Sequence, residues 1–168
     1  CKSPSRIALF RETLPSTPLP PEPVITRWGT WIDAVEYYAE HLEEVASVVS
    51  GLPDDNVACV KVVKKLLQDS YLKKDIVYVQ SNFSFLSPCI TKLEAKGKSL
   101  QDQMSIIKEV ETKVKTAVGR VGDKVREKQV GCIVEKNAGF SVLNDVCDIL
   151  NGEDVGLPCN LQRNIVFF

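Results

Sequence analysis

From Trp31 to Leu52 the apolar residues step alternately by four and three. Trp31, Val35, Tyr38, Leu42, Val45, Val49 and Leu52 recur on one face. That is the mark of an amphipathic helix. The spacing predicts a helix over 30–52 with Thr30 as its N-cap. The other face carries Asp33, Glu36, Glu40, Glu43 and Glu44, and no Lys or Arg occurs from residue 28 through 60. "GLPDDN" ends this helix and opens a second over 54–69. Asp54 and Asp55 suit its positive N-terminal end. Residues 70–96 repeat the rhythm through Leu72, Ile76, Val79, Phe83, Leu86, Ile90 and Leu93. Pro88 falls in that run and predicts a kink or break near 84–87.

The same signals extend to both sides. Ser3 and Pro4 predict the start of a short helix over 3–14. Residues 15–23 hold five prolines and form a polyproline-like connector. Ser99 to Asp102 resembles a capping box with Asp in place of Glu. It opens a helix running to about 118 through Leu100, Met104, Ile107, Val114 and Val118. "GRVG" predicts an interruption. A helix over 121–136 follows, with Val125, Cys132 and Ile133 inward. "NAG" at 137–139 predicts a stop, and 140–150 a last helix. Period-2 alternation is nearly absent. The expected fold is mainly α, a multi-helix antiparallel bundle packed by coiled-coil-like stripes. The stripes span only about three heptads, which favours a bundle over an extended coiled coil. The expected organisation is a short helix (1–14), a Pro-rich connector with the block around Trp28 (15–29), a helical domain (30–150) and an irregular tail (151–168).

Bulk numbers narrow the function classes. The 168 residues suit one domain with a real core. The net charge of -1 gives no bulk pull toward nucleic acid or acidic membranes. No apolar run approaches the roughly 18 residues of a membrane helix. The chain begins at Cys1 and shows no signal peptide, which suggests a fragment. The six cysteines form no CxxC pair, and His41 is the single histidine. A zinc site's paired ligands are therefore absent. Most of the cysteines read as small buried hydrophobes in a reducing compartment. No metal or other cofactor is expected.

Glu43-Glu44 and Asp54-Asp55 are paired acids, but they lie opposite the apolar stripe or at a helix start. They read as solvated surface rather than as acid/base pairs, which need a cleft. His41 reads as a boundary histidine. "SNFS" at 81–84 fits the glycosylation pattern but lies in a helical run, so no glycan is expected. The basic residues carry more information. Lys61, Lys64, Lys65, Lys73 and Lys74 form one cluster. Residues 91–128 hold ten positive charges against six negative, with Lys113, Lys115, Arg120 and Lys124 among them. A polarised molecule could offer such a side to a phosphate backbone, although lysines also simply solubilise helices. No aromatic lies between residues 86 and 139, which argues against base stacking from that region. "GRVGDK" has too few glycines for a phosphate loop.

"LPPEPVITRWGTWIDAVEYYAEH" (residues 19–41) resembles a block of the hAT-superfamily transposases and their domesticated relatives. These include transposon-like proteins related to CGG-triplet-repeat-binding protein. "YVQSNFSFL", "ITKLEAKG", "SLQDQMSIIKEV" and "VEKNAGFSVLNDVCDILNGED" agree in kind, so the resemblance covers residues 2 to about 154. It implies the helical insertion of an RNase H-like domain. It also implies a nuclear, DNA-associated role. Family members cut DNA with three metal-binding carboxylates. No acid here matches one of them, and neither an "ERxFS"-like segment nor a BED-type zinc finger is present. "CNLQRNIVFF" departs from the pattern. The expectation is therefore a non-catalytic, DNA-associated helical scaffold without cofactor. The alternatives are a protein-interaction or dimerisation module and a transposon relic. Candidate DNA contacts are Arg27, Trp28, Lys61, Lys64, Lys65, Lys113, Lys115, Arg120 and Lys124. Trp31 is expected in the core. Trp28 either anchors the junction before the helix, the favoured reading, or stacks on a base.

Overall fold

The computed structural model describes residues 3–53, 58–134 and 136–153. Among these residues the fold is mainly α, with no strand. In chain order the elements are α1 (Pro4–Thr13), α2 (Trp28–Ser50), α3 (Ala58–Leu67), α4 (Leu72–Phe83), α5 (Leu86–Glu94), α6 (Leu100–Thr116), α7 (Gly119–Gln129), a π-helical turn (Val130–Val134) and α8 (Ala138–Leu150). No helix among the described residues is long and apolar enough to cross a membrane. The chain divides between Ile90 and Thr91 into two compact units. The stretch expected as one helical domain, 30–150, thus divides between them.

The N-terminal unit is organised on α2, which touches α1, α3 and α4. Its buried cluster is Phe10, Val45 and Val48, flanked by Leu9, Leu14, Leu19, Tyr37, Tyr38 and Val49. Each such large side chain stabilises by about 1.5–3 kcal/mol when fully buried. The expected stripe is rotated in part. Ala34, Val45 and Val48 are the buried positions of α2, whereas Trp31 is 49% exposed. The helix also begins earlier than expected. Arg27 occupies the N-cap position, and Thr30 lies inside the first turn.

The proline connector has no internal hydrogen bonds of the kind that helices supply. Side chains of α2 hold it instead. The Tyr37 hydroxyl donates to the Pro18 carbonyl at 2.7 Å, and the Thr17 hydroxyl donates to Glu44 at 3.1 Å. His41 Nδ1 lies 3.1 Å from the same Glu44 oxygen. The boundary reading of His41 therefore fits its half-buried position.

The break expected near 84–87 falls at Ser84 and Phe85, between α4 and α5. Pro88 sits in the first turn of α5, where its missing N–H breaks no intrahelical bond. Asn82 lies within α4 and donates its side-chain amide to the Tyr78 carbonyl at 2.9 Å. Asp54, Asp55 and the tail from residue 154 lie outside the described residues, as do Cys1 and Cys159. Of the other cysteines, Cys89 and Cys147 are buried, but Cys59 and Cys132 are exposed.

In the C-terminal unit, Met104, Phe140 and Cys147 form the buried cluster, with Leu100 and Ile107 against it. The capping box opens α6 as expected. The Asp102 N–H donates to Ser99 Oγ at 3.0 Å, and the Ser99 N–H donates to Asp102 Oδ2 at 3.3 Å. "GRVG" does not interrupt the helix. The interruption lies just before it, where Ala117 and Val118 are extended. Gly119 takes φ 80°, a conformation that costs glycine little, and α7 starts there. "NAG" likewise starts a helix: Asn137 occupies the N-cap position of α8. Asparagine favours both ends of a helix, so the motif alone does not say which end it marks.

Candidate nucleic-acid interface

The chain enters α2 through a tight turn. The Arg27 N–H donates to the Val24 carbonyl at 2.9 Å. The Thr30 hydroxyl accepts from the Val24 N–H at 2.8 Å and donates to the Arg27 carbonyl at 2.7 Å. One side chain thus closes the turn that presents Arg27 and Trp28. The following turn is fixed on its other side. Buried Ser87 donates its hydroxyl to Asp33. Gly29 faces the same serine.

This arrangement leaves the tryptophans outward. Trp28 is 80% exposed, and Ile25, Val24 and Trp31 are exposed beside it in sequence. The reading of Trp28 as a buried anchor is therefore overturned, and so is the core reading of Trp31. The residues that fasten this junction are Thr30 and Ser87. The sequence signal for Thr30 was its capping chemistry, assigned one turn too late. Ser87 carried no local signal, because its partner lies 54 residues away.

Electrostatics at this end favour an anion. The first turn of α2 has no acidic residue, so its N-terminal partial charge is uncompensated there. The Arg27 side chain is exposed and makes no ion pair among the described residues.

The remaining candidate contacts divide by unit. Lys61, Lys64 and Lys65 share α3 at helical-neighbour spacing. Lys61 and Lys65 are exposed. Lys64 turns aside to donate to the Leu52 carbonyl at 2.8 Å, beyond the end of α2. Lys73 pairs with Glu43 and holds that carboxyl below its usual range. In the other unit, Lys113 pairs with Glu109 at 2.7 Å and lowers the Glu109 pKa through this hydrogen bond. Lys115, Arg120 and Lys124 are exposed on α6 and α7. Arg126 donates to the Ala117 carbonyl and pairs with Asp123. It lines a cleft of about 420 Å³ with Lys115 and Phe140.

Two of the nine candidates thus have an intramolecular task. Arg27, Trp28, Lys61, Lys65, Lys115, Arg120 and Lys124 remain exposed. Among the described residues no cluster of three or more His, Cys, Asp or Glu could hold a metal ion. No family model, curated protein or solved structure matches the chain.

Proposed function

We propose that this chain is a non-catalytic helical module of the hAT-transposon-derived kind that associates with DNA. The observation that carries the reading is the Arg27–Trp28 turn. It combines an outward guanidinium, an outward indole and the positive end of a 23-residue helix. Arginine and the helix end suit a phosphate. An indole suits an unstacked base, where stacking contributes about 1–3 kcal/mol. The exposed lysines of α3 and the basic residues of α6 and α7 supply further phosphate contacts. No acid in the blocks that carry the resemblance corresponds to a transposase carboxylate, so the module contributes binding rather than strand cleavage. A nuclear location follows from the resemblance.

Fluorescence anisotropy with labelled duplex and single-stranded DNA tests this reading. Affinity is expected to fall steeply between 50 and 200 mM salt. Trp28→Ala is expected to weaken single-strand binding with helicity intact. Undetectable or salt-insensitive binding of the unaltered chain defeats the proposal.

One observation favours a second reading, self-association. Val24, Ile25, Trp28 and Trp31 place four exposed large apolar side chains within eight consecutive residues. Tryptophan and arginine commonly anchor protein interfaces. Light scattering across concentration separates the two: a clean monomer that binds DNA leaves only the first.

A further inference from the structure

A second feature stands apart from the Arg27–Trp28 turn. Within the N-terminal unit, α1, the proline connector, α2, α3 and α4 line a half-open cavity of about 590 Å³. That volume lies in the usual range for small-molecule sites, about 300–1,000 Å³. It holds the equivalent of about 20 waters at roughly 30 Å³ each. Water is poorly suited to it. Phe10, Leu42, Val49, Leu66 and Ile76 are representative of the walls, and a buried water needs two to four polar partners.

The charged residues of the lining decide the ligand class. Arg6 and Glu22 are the charged side chains there, one of each sign. The border therefore carries no net charge. A carboxylate or an ammonium meets no excess of opposite charge at this border, and entering the apolar walls would desolvate its charge. The concave walls also differ from the broad faces, about 20–30 residues a side, of standard protein interfaces.

Leu19 and Pro20 to Pro23 form one wall. The two hydrogen bonds from Tyr37 and Thr17 tie the preceding residues to α2. This wall has no helix hydrogen bonds of its own.

We propose that this cavity binds an uncharged, mainly apolar small molecule, with the proline connector as one wall. Nile red, a neutral dye, is the probe. Titrated into the full chain, it is expected to give saturable one-to-one fluorescence enhancement. The neutral 1-dodecanol is expected to displace it, and dodecanoate and dodecyltrimethylammonium to do so at least about tenfold less well. Leu66→Trp and Val63→Trp place an indole in the lining from partly exposed positions on α3. Each is expected to weaken dye binding by about tenfold or more with helical circular dichroism unchanged. Val121→Trp, an exposed position in the other unit, is expected to leave it unchanged. The proposal is overturned if the dye does not saturate or if charged and neutral alkyl competitors act alike. It is also overturned if helical Leu66→Trp and Val63→Trp proteins bind dye as before. Dye binding that tracks dimer formation in light scattering overturns it as well, since the occupant would then be a second copy.

Discussion

Tyr37 donates its phenolic hydrogen to the Pro18 carbonyl at 2.7 Å, across 19 residues of sequence. The bond ties a segment without regular structure to α2, the longest helix among the described residues. Burial, then the neighbouring Tyr38 and Glu44, push the Tyr37 pKa upward, so the hydroxyl keeps its proton throughout the neutral range. Tyr37→Phe removes the donor and keeps the ring. The expected cost is about 1 kcal/mol, read as a lower urea midpoint with an unchanged slope.

Gly122 meets Ala117 more closely than any other side chain would permit. A Cβ there would lie 2.7 Å from the Ala117 carbonyl oxygen and 2.8 Å from its carbon. Backbone cannot retreat as a flexible side chain can. Gly122→Ala is therefore expected to destabilise the C-terminal unit by about 1–3 kcal/mol, despite alanine's better helix propensity. Thermal denaturation followed by circular dichroism checks this. An unchanged or raised midpoint would refute the close approach.

Asp102 gives the fold an acid-side dependence. Its hydrogen bonds with the Ser99 side chain and backbone hold its carboxyl below the usual 3.8. A folded-state value below the unfolded one stabilises above the unfolded pKa. That contribution is lost as pH falls through the lower, folded value. Stability is therefore expected to be flat at neutral pH and to decline below about pH 4. Asp102→Asn is expected to flatten this Asp102-dependent part of the acid limb. Ser99→Ala removes the reciprocal cap, at about 1 kcal/mol. Urea denaturation from pH 2 to 7 measures both.

Trp28 separates folding from recognition. Its side chain is 80% exposed, so Trp28→Ala is expected to change stability by no more than about 0.5 kcal/mol. Under the DNA-binding reading, single-strand affinity falls while the unfolding midpoint stays. A large loss of stability would mean that the indole is packed after all.

Several helices were legible because their signals are local. The 4,3 spacing located α2 and the α4–α5 pair, and Pro88 located the break between them. Ser99 and Asp102 announced the start of α6 through two hydrogen bonds spanning three residues. Glycine signals were less decisive. In "GRVG" the two glycines enable a turn and a close approach, and α7 runs through them.

Other outcomes depended on partners far away in sequence. Periodicity shows that α2 has an apolar side, but the direction of that side follows from what packs there. Ser87 on Asp33, 54 residues apart, fixes the first turns of α2. Trp28 and Trp31 are exposed there, while Ala34, Val45 and Val48 are buried. Lysine clusters were visible as composition, yet only tertiary placement separated Lys64, bound to the Leu52 carbonyl, from exposed Lys61 and Lys65. The sequence by itself determined the helical class, the connector and the α6 cap, because backbone preference and short-range hydrogen bonding act within a few residues. The tertiary structure decided which tryptophans and lysines remain available, because burial is set by neighbours that only folding brings together.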